Sequence, residues 1–435
     1  MERSLYGKLV QWKKKNERKP LILNGARQVG KTYLLQEFGQ NEYEKMAFFS
    51  LDRNPMAVKV FEQGGAIADI LISLSAISDV DITPGNTLIV LDEVQDCPKA
   101  LETLKYFCED AHDYHVVVAG SLLGLSLHDG VSYPVGKVEE LRLFPMTFVE
   151  FLQAMGKNRL ADTLQRANWT VIDMLGEEFV RLLRQYYYVG GMPAAVLAFA
   201  EQRGLKEVRN IQNQILRDYR RDFSKHAPTN EVPRINMVWD SIPAQLAKEN
   251  KKFIYGAMKK SARAAEFELA IQWLVDAGLV YKVTRTNSPK MPLKFYEDLN
   301  AFKLFMLDVG LMGAMVETPS EAVLVDNSVF SEYKGAFTEL YVLTQLMALD
   351  IPIYYHSVDN STIELDFLVQ LGGKVWPVEV KAETNVRAKS LRTFIAKYPD
   401  LTGIRFSMLP FQQQDWVINI PLYACGGVSN VVDQL

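Results

Sequence analysis

The segment from Pro20 to Leu35 constrains the fold of this chain more than any other. It reads Pro-Leu-Ile-Leu-Asn-Gly-Ala-Arg-Gln-Val-Gly-Lys-Thr-Tyr-Leu-Leu, which fits the pattern G-x-x-x-x-G-K-[ST] without a mismatch. The apolar run Leu21–Leu23 is expected to form a buried strand, and a helix is expected from Lys31 onward. Glycines let backbone amides turn towards one point, and the helix start adds its positive dipole end, so such a loop cradles phosphates. The segment therefore predicts a nucleoside-triphosphate site.

The residues expected to touch the nucleotide are those of this loop and of the first helical turn. We expect the Lys31 ammonium to reach the β- and γ-phosphates and the Thr32 hydroxyl to bind Mg²⁺. The full predicted contact set is Gly25, Ala26, Arg27, Gln28, Val29, Gly30, Lys31, Thr32 and Tyr33. ATP and Mg²⁺ are the cofactors that this pattern predicts.

Two acidic residues follow a second apolar run. The segment Thr87–Leu91 leads directly into Asp92 and Glu93, and a parallel strand buried on both faces is continuously apolar in this way. Carboxylates at the carboxyl end of such a strand lie where open α/β sheets bind their ligands. We expect Asp92 to hold Mg²⁺ and Glu93 to polarise the water that attacks the γ-phosphate. An isolated Asp-Glu pair would more often belong to a helix start, but Lys31 upstream favours the functional interpretation.

A further strand is expected over His115–Ser121. If this strand lies beside the two acids, Ser121 is a candidate sensor of the γ-phosphate; a serine that caps the next helix is an equally good interpretation. The run Lys45–Leu51 adds another strand, and helical segments lie between the strands. This alternation predicts a doubly wound α/β sheet.

Length and composition limit the remaining possibilities. A chain of 435 residues is long enough for about three domains. The net charge of −4 gives no general attraction to nucleic acid, so any such binding requires a local basic patch. The three cysteines form no C-x-x-C pair, and no apolar stretch reaches the length of a membrane span. We expect a cytoplasmic protein without a membrane partner.

Several segments together resemble a known family. They are Gly25–Thr32, Leu88–Gln95, Val116–Gly124, Leu143–Leu152, Tyr188–Pro193, Phe302–Leu311 and Glu364–Val369. The chain resembles the prokaryotic AAA-type, STAND-like P-loop ATPases that carry a C-terminal domain of unknown function similar to restriction-endonuclease folds. The family usually has Gly-Arg where this chain has Gly136-Lys137. If that arginine is a trans-acting finger, Lys137 would replace it poorly because a lysine does not grip phosphate bidentately; Arg142 is an alternative.

The resemblance and the residue patterns together imply an α/β multidomain protein. The expected parts are a P-loop ATPase core over 1–147, a helical lid over 148–231, a winged helix over 232–312 and a C-terminal α/β restriction-endonuclease-like domain over 313–435. In the lid, the turn Gly190–Pro193 either touches nucleotide or is a plain helix junction. Arg217, Arg220 and Arg221 are either nucleotide sensors or part of a solvated helix face.

The predicted winged helix has three helices followed by strands at Leu279–Val283 and Leu293–Tyr296. Lysines and one arginine between Lys248 and Arg263 form a local basic excess that could follow a phosphate backbone. The third helix carries Glu266 instead of a base-reading arginine, so we do not expect sequence-specific reading by this helix.

The C-terminal region contains a second group of acids. Glu339 shares a helical face with apolar Ala336 and Leu343, and a carboxylate there is costly unless it is paired or bound to metal. The segment Glu364–Lys381 reads as a hairpin around Gly372-Gly373, because a two-residue turn needs positive φ at both positions.

Pairing outward from this turn places Asp366 opposite Glu379, and Glu364 opposite Lys381. Like charges directly opposite are destabilising, and a shared divalent cation would remove that conflict. By resemblance to restriction-endonuclease-like nucleases, Asp366 and Glu379 ligate metal, Lys381 orients or activates water, and Glu339 completes the site.

Two functions are consistent with this sequence. The first is an ATPase whose nucleotide state controls a C-terminal Mg²⁺-dependent nuclease-like domain acting on nucleic acid. The second is a slow or non-turning nucleotide switch whose C-terminal domain is a non-catalytic module that docks a protein or nucleic acid. An oligomer is compatible with both.

Overall fold

A computed structural model describes residues 1–121, 133–248, 251–260, 262–324, 334–358, 363–383 and 388–433. These residues divide into two compact units. The first contains residues 2–144 together with 276–279, and the second contains residue 1 together with 145–275 and 280–435, apart from residues outside the described ranges. Among the residues that the structure describes, no helix is both long and apolar enough to cross a bilayer.

The first unit is built on five strands. They are β1 (Leu21–Asn24), β2 (Lys45–Ser50), β3 (Thr87–Asp92), β4 (His115–Gly120) and β5 (Glu139–Arg142). Their order across the sheet is β2-β3-β4-β1-β5, and every pairing is parallel. The prediction of a parallel α/β sheet is therefore confirmed, and β4 lies between the strand of the phosphate loop and the strand of the two acids.

Helices cover both faces of this sheet. They are α1 (Leu5–Lys13), α2 (Lys31–Glu42), α3 (Pro55–Gln63), α4 (Ile67–Ser78) and α5 (Pro98–Asp110). Successive residues of a strand point to opposite faces. Ile89 belongs to the core formed with α3, α4 and α5, whereas Leu88 faces Gly39 of α2. Both faces of β3 are therefore buried, which explains its unbroken apolar run.

The second unit begins with a helical region and then alternates strands and helices. The helices are α6 (Phe148–Ala154), α7 (Asn158–Gln165), α8 (Trp169–Met174), α9 (Gly176–Val189), α10 (Pro193–Ala200), α11 (Leu205–His226), α12 (Val232–Leu246), α13 (Ala264–Asp276, ending at the unit boundary), α14 (Val309–Met315), α15 (Ser320–Leu324), α16 (Lys334–Ala348), α17 (Lys389–Lys397) and α18 (Val428–Val432). The strands are β6 (Val280–Thr286), β7 (Glu297–Met306), β8 (Ile353–Ser357), β9 (Glu364–Leu371), β10 (Lys374–Val380), β11 (Gly403–Ser407), β12 (Gln412–Gln413) and β13 (Val417–Pro421).

These strands form one mixed sheet in the order β12-β13-β11-β10-β9-β8-β6-β7. The hairpin β6–β7 and the strands β8–β13 are joined by a single parallel pair, Arg285 with Tyr355. The strand predicted at Leu293–Tyr296 is wrong: this segment is a 3₁₀ turn, and the strand begins at Glu297. Pro292 before the turn fixes its own φ, and Phe295 N–H donates to its carbonyl, which favours a turn over an extended strand.

Candidate functional site

The phosphate loop of the first unit connects β1 to α2 at the carboxyl edge of the parallel sheet. Helix α2 begins at Lys31, directly after Gly30, which has a φ of 95°. A side chain at Gly25 would lie 2.4 Å from the Leu143 carbonyl oxygen, so the backbone there approaches its neighbour too closely for any other residue. Arg27, Gln28, Thr32 and Tyr33 are exposed around this loop.

Lys31 is folded back onto its own loop. Its ammonium donates to the carbonyl oxygens of Gly25 at 2.8 Å and of Ala26 at 2.9 Å. Burial lowers the pKa of Lys31 to about 8, although Glu93 and Asp92 act in the opposite direction. Lys31 is thus a buried cation whose hydrogen-bond acceptors are both neutral. Phosphate oxygens of a bound nucleotide would take the place of these carbonyls and would bring negative charge next to the ammonium.

Thr32 and Asp92 meet as the sequence predicts. The Thr32 hydroxyl donates to Asp92 Oδ2 at 2.6 Å, and burial raises the pKa of Asp92. A hydroxyl and a carboxylate oxygen are hard oxygen donors of the kind that Mg²⁺ accepts together with water and phosphate. The residues present therefore fit a magnesium ion between the loop and β3.

Glu93 lies at the end of β3 in the left-handed region, with a φ of 53°. Its carboxylate accepts from Gln95 Nε2 at 2.5 Å and from the Ser121 hydroxyl at 3.5 Å. Ser121 therefore lies beside the acid, as expected if β4 is the neighbour of β3. The helix that Ser121 would cap in the alternative interpretation falls in residues 122–132, which lie outside the described part of the chain.

The other candidate nucleotide-contacting side chains have partners of their own. Lys137 forms a 2.9 Å ion pair with Glu109 in the first unit. In the second unit, Arg220 pairs with Asp240, Arg221 with Asp218, and Arg217 donates to Gln214. All three arginines are exposed on α11.

The turn Gly190–Pro193 is buried at a helix junction within the second unit. Gly191 N–H donates to Asp308 Oδ2 at 2.6 Å, and Gly191 O accepts from Met146 N–H at 2.7 Å. A side chain at Gly191 would lie 2.2 Å from the Met146 carbonyl oxygen. Burial raises the pKa of Asp308 to about 6, although backbone amides donate to it. The turn serves here as a helix junction.

A second candidate site lies on the sheet of the second unit. Gly372 and Gly373 both have positive φ, 57° and 71°, and the strands pair in register from Lys374 opposite Leu371 to Val378 opposite Phe367. The predicted hairpin is therefore confirmed. The next position outward places Asp366 opposite Glu379, and Val380 N–H donates to Asp366 Oδ2 at 2.7 Å.

Lysines accompany the acids at this site. Lys381 turns to Glu379, with Nζ 2.5 Å from Oε1, rather than to Glu364. Glu364 instead pairs with Lys303 of β7 at 2.7 Å, and Lys251 pairs with Glu339 of α16. We call the seven residues the acid–lysine cluster; they are Glu339, Glu364, Asp366, Glu379, Lys251, Lys303 and Lys381.

The electrostatics of the cluster follow from burial and proximity. Burial raises the pKa of both Glu339 and Glu379, and the Asp366 carboxylate raises both further. Burial alone would lower the pKa of Lys303, but Glu339, Glu364 and Asp366 outweigh it, and the net effect is an increase. Lys303 therefore stays protonated, and its positive charge acts on all three carboxylates.

The carboxylates of the cluster are ligands of the kind that a divalent cation accepts, but in the present arrangement they do not come together around one point. Glu339 Oε2 and Glu379 Oε2 are buried side-chain oxygens without a hydrogen-bond donor, and such atoms are costly to leave unpaired. Within the described ranges, however, no three acidic, histidine or cysteine side chains are close enough to hold one ion. The two unpaired oxygens are the atoms that a cation would contact. In the present arrangement, the three lysines balance the negative charge of the carboxylates.

Sequence reasoning missed two members of this neighbourhood. Lys303 sits inside an apolar strand and is fully buried, a position where a lysine itself signals an acidic partner. Arg405 of β11 is the register partner of Glu379 and donates to Asn419 at 2.9 Å. The sequence places Lys251 in the basic stretch expected to follow a phosphate backbone. In the structure, its ammonium forms an ion pair with Glu339.

Comparisons with known proteins support the P-loop interpretation of the first unit and assign no function to the second. Residues 17–152 match a family model described as an AAA domain. Residues 180–322 match a domain of unknown function (DUF8612), and residues 334–423 match another (DUF4143). No curated protein sequence matches the chain. The first match, the parallel sheet and the phosphate loop together support an AAA-type, P-loop ATPase-like domain in the first unit.

Solved structures share parts of the architecture at low identity. A Walker-type ATPase of Pyrococcus abyssi is 12% identical over 72% of this chain and 95% of its own, with a TM-score of 0.46. The Aeropyrum pernix ORC1 protein, solved in complex with DNA, is 16% identical over 74% and 92%, with a TM-score of 0.29. A STAND protein with a tetratricopeptide repeat sensor from Pyrococcus horikoshii is 13% identical over 80% and 47%, with a TM-score of 0.26.

Proposed function

We propose that the first unit binds ATP with Mg²⁺ and hydrolyses it. Amides of the loop 25–33 hold the phosphates, and Lys31 exchanges its two carbonyl partners for β- and γ-phosphate oxygens. Thr32 and Asp92 hold the metal ion, Glu93 polarises the attacking water, and Ser121 senses the γ-phosphate. The observation that carries this proposal is the 2.6 Å contact between Thr32 and Asp92, because it brings together residues that are 60 positions apart in the sequence.

The test separates binding from hydrolysis. Glu93→Gln should still bind a fluorescent ATP analogue, while its hydrolysis rate falls by roughly 10²–10⁴-fold, the usual contribution of a general base. Lys31→Ala should lose binding itself. Glu62→Gln, which changes an exposed glutamate of the same unit, is the matched control and should behave like the wild type. Hydrolysis by Glu93→Gln at the wild-type rate would contradict the assignment.

For the second unit, we propose a nuclease-like site whose activity depends on the nucleotide state of the first. Support comes from the hairpin register, whose extension by one position beyond Val378 and Phe367 sets Glu379 against Asp366. Further support comes from the two buried carboxylate oxygens that lack donors. A bound Mg²⁺ or Mn²⁺ would polarise a phosphodiester and lower the pKa of a water molecule. Asp366 and Glu379 are the residues that would hold it, with Glu339 beside them.

Lys381 would work in this site as a cation. Burial alone would lower its pKa, but the Glu379 carboxylate outweighs this and raises the pKa overall. A lysine held protonated in this way can orient the attacking water or stabilise the charge that develops on phosphate, but it does not take up a proton. Nucleic acid is the proposed substrate.

A second candidate function is favoured by the charge balance of the same site. Four carboxylates face Lys251, Lys303 and Lys381, and Arg405 lies beside Glu379. The charges thus balance without any metal ion, as expected for a fold that docks a protein or nucleic acid and does not cut. In that case the protein would act as a slow nucleotide switch.

Cleavage assays distinguish these functions. Supercoiled plasmid and single-stranded DNA are incubated with Mg²⁺ or Mn²⁺ and the wild type, Lys381→Ala or Lys374→Ala. Lys374 is an exposed lysine of the same hairpin and serves as the matched control. The nuclease proposal predicts metal-dependent cleavage that Lys374→Ala retains and Lys381→Ala loses. Equal inertness of all three proteins would refute it and favour docking.

A further inference from the structure

The connection between β6 and β7 exposes apolar side chains to solvent. It covers residues 287–296, and we call it the β6–β7 turn. The Phe295 side chain in this turn is 85% exposed, Met291 is 43% exposed, and Leu299, just after the turn, is 65% exposed. Single exposed apolar residues are common on protein surfaces, but several in one short segment mark an interaction site. The β6–β7 turn is therefore a candidate surface for a partner.

The backbone of this turn is anchored to the rest of the second unit. Leu293 is fully buried in a core that it shares with β9 and α17, and its N–H donates to Gln370 Oε1 at 3.2 Å. Asn287 N–H donates to the Tyr296 carbonyl at 2.9 Å, which closes the turn at its base. Phe295, two residues after the buried anchor, is therefore held in solvent by a folded turn.

The charge available at this turn is positive. Lys290 and Lys294 are exposed, and within the described ranges neither forms an ion pair. The two acids that follow the turn are engaged by β6: Asp298 pairs with Arg285 at 2.6 Å, and Glu297 accepts a hydroxyl hydrogen bond from the same strand. The turn thus presents two ammonium groups together with an aromatic ring, a combination that suits an anionic partner with apolar faces.

The exposed ring selects among anionic partners. A planar ring in solvent can stack on an unpaired base, and such stacking tolerates any sequence because every base has a π-face. In a duplex, neighbouring bases already cover these faces. We propose that the β6–β7 turn binds single-stranded nucleic acid, with Phe295 stacked on a base and with Lys290 and Lys294 against phosphates.

Strand β9 connects this surface to the acid–lysine cluster. Gln370 of β9 holds the turn, and Asp366 lies four residues earlier on the same strand. Four residues of a strand span about 13 Å, which is the length of about four stacked nucleotides. This inference rests on the proposed action of the second unit on nucleic acid, and it adds which form of nucleic acid binds and which residues hold it.

The experiment measures binding of fluorescein-labelled oligodeoxythymidine to the full chain by fluorescence anisotropy, in EDTA so that no metal-dependent cleavage occurs. Phe295→Ala and Phe295→Leu should each weaken binding by about 5- to 150-fold, the contribution of one stacked base. Leucine keeps an apolar side chain without the ring, so its loss separates stacking from general apolar contact. Phe295→Tyr keeps a ring and should bind like the wild type. Leu269→Ala removes an apolar side chain that is 69% exposed on α13, and as the matched control it should have no effect.

Salt dependence tests the two lysines separately from the ring. Lys290→Gln and Lys294→Gln should each reduce the slope of log K against log salt concentration by about 0.7, the value for one phosphate contact on a single strand. Phe295→Ala should leave this slope unchanged, because a ring releases no counterions. Lys206→Gln, which changes an exposed lysine of α11, should bind with the wild-type slope.

Several results would overturn this inference. They are equal affinity of the wild type and Phe295→Ala for the oligonucleotide, equal weakening by Phe295→Ala of binding to a duplex of the same length, and absence of oligonucleotide binding in every protein. Self-association of the chain in sedimentation that Phe295→Ala abolishes, without oligonucleotide binding, would instead assign the surface to a second copy of the chain.

The failure of this inference is distinct from the failure of the nuclease proposal. Binding that depends on Phe295, in a protein that cuts no substrate with Mg²⁺ or Mn²⁺, would support the surface and overturn only the nuclease. Cleavage that Lys381→Ala loses, together with oligonucleotide binding that Phe295→Ala leaves unchanged, would overturn the surface and leave the nuclease proposal intact.

Discussion

Replacing Lys31 with methionine should make the nucleotide-free first unit more stable. Burial lowers the pKa of Lys31 from 10.5 to about 8, and each pH unit corresponds to about 1.4 kcal/mol. The charged lysine therefore costs the empty site roughly 3 kcal/mol at neutral pH. Methionine removes this cost but leaves the carbonyls of Gly25 and Ala26 without their donor, a loss of roughly 1 kcal/mol each at the low end of the usual range. The expected net gain is about 1 kcal/mol.

The pH dependence has a defined sign. Because the pKa of Lys31 is lower in the folded protein, the unfolded chain binds the proton more tightly. The cost is fully present below about pH 8 and disappears as the pH rises from 8 towards 10.5. The advantage of Lys31→Met over the wild type should therefore shrink over this range.

Hydrogen exchange measured by mass spectrometry on peptides that cover β1 reports the stability of this unit directly. Lys31→Met should exchange about fivefold more slowly than the wild type near neutral pH, which corresponds to about 1 kcal/mol. Lys59→Met changes an exposed lysine of the same unit and should leave the rate unchanged. Comparing proteins at the same pH cancels the intrinsic exchange rates. Faster exchange in Lys31→Met, or a gap that does not change with pH, would refute the reasoning.

Two further predictions concern the second unit. Gly191→Ala should lower stability by about 3 kcal/mol because its methyl group would lie 2.2 Å from the Met146 carbonyl oxygen. Gly335→Ala changes an exposed glycine of α16 that has nothing within 4 Å, and it should not lower stability. Equal thermal midpoints for the two variants would contradict this. Lys303→Met should cost about 3 kcal/mol, the low end of the range for a broken buried pair, because the Glu364 charge that loses its partner is 28% exposed. Adding Glu364→Gln should recover part of that loss in urea unfolding, and no recovery would show that the ion pair is not the cause.

Local patterns made much of this structure predictable. The register of the β9–β10 hairpin follows from Gly372-Gly373, because only glycine adopts positive φ at both turn positions without strain. The apolar run of β3 predicts a doubly buried strand, and Asp92 follows it directly. In both cases the signal lies within a few residues of the feature, so the sequence alone carries it.

The parts that could not be predicted depend on contacts between distant segments. The partner of Lys303 is Glu364, 61 positions away, and the partner of Lys251 is Glu339, 88 positions away. A lysine in a loop has the same local sequence whether it follows a phosphate backbone or pairs with a buried acid. The turn at Leu293–Tyr296 was missed because its apolar and aromatic residues also suit a strand.

We propose that the nucleotide state of the first unit controls nucleic-acid cleavage by the second. The most direct test is the rate of nicking of supercoiled plasmid with Mn²⁺, measured without nucleotide, with ADP and with ATP. The wild-type rate should change between these states, Lys31→Ala should show one rate in all three, and Lys381→Ala should not cut. A wild-type rate that is the same in all three states, or cleavage by Lys381→Ala at the wild-type rate, would contradict it.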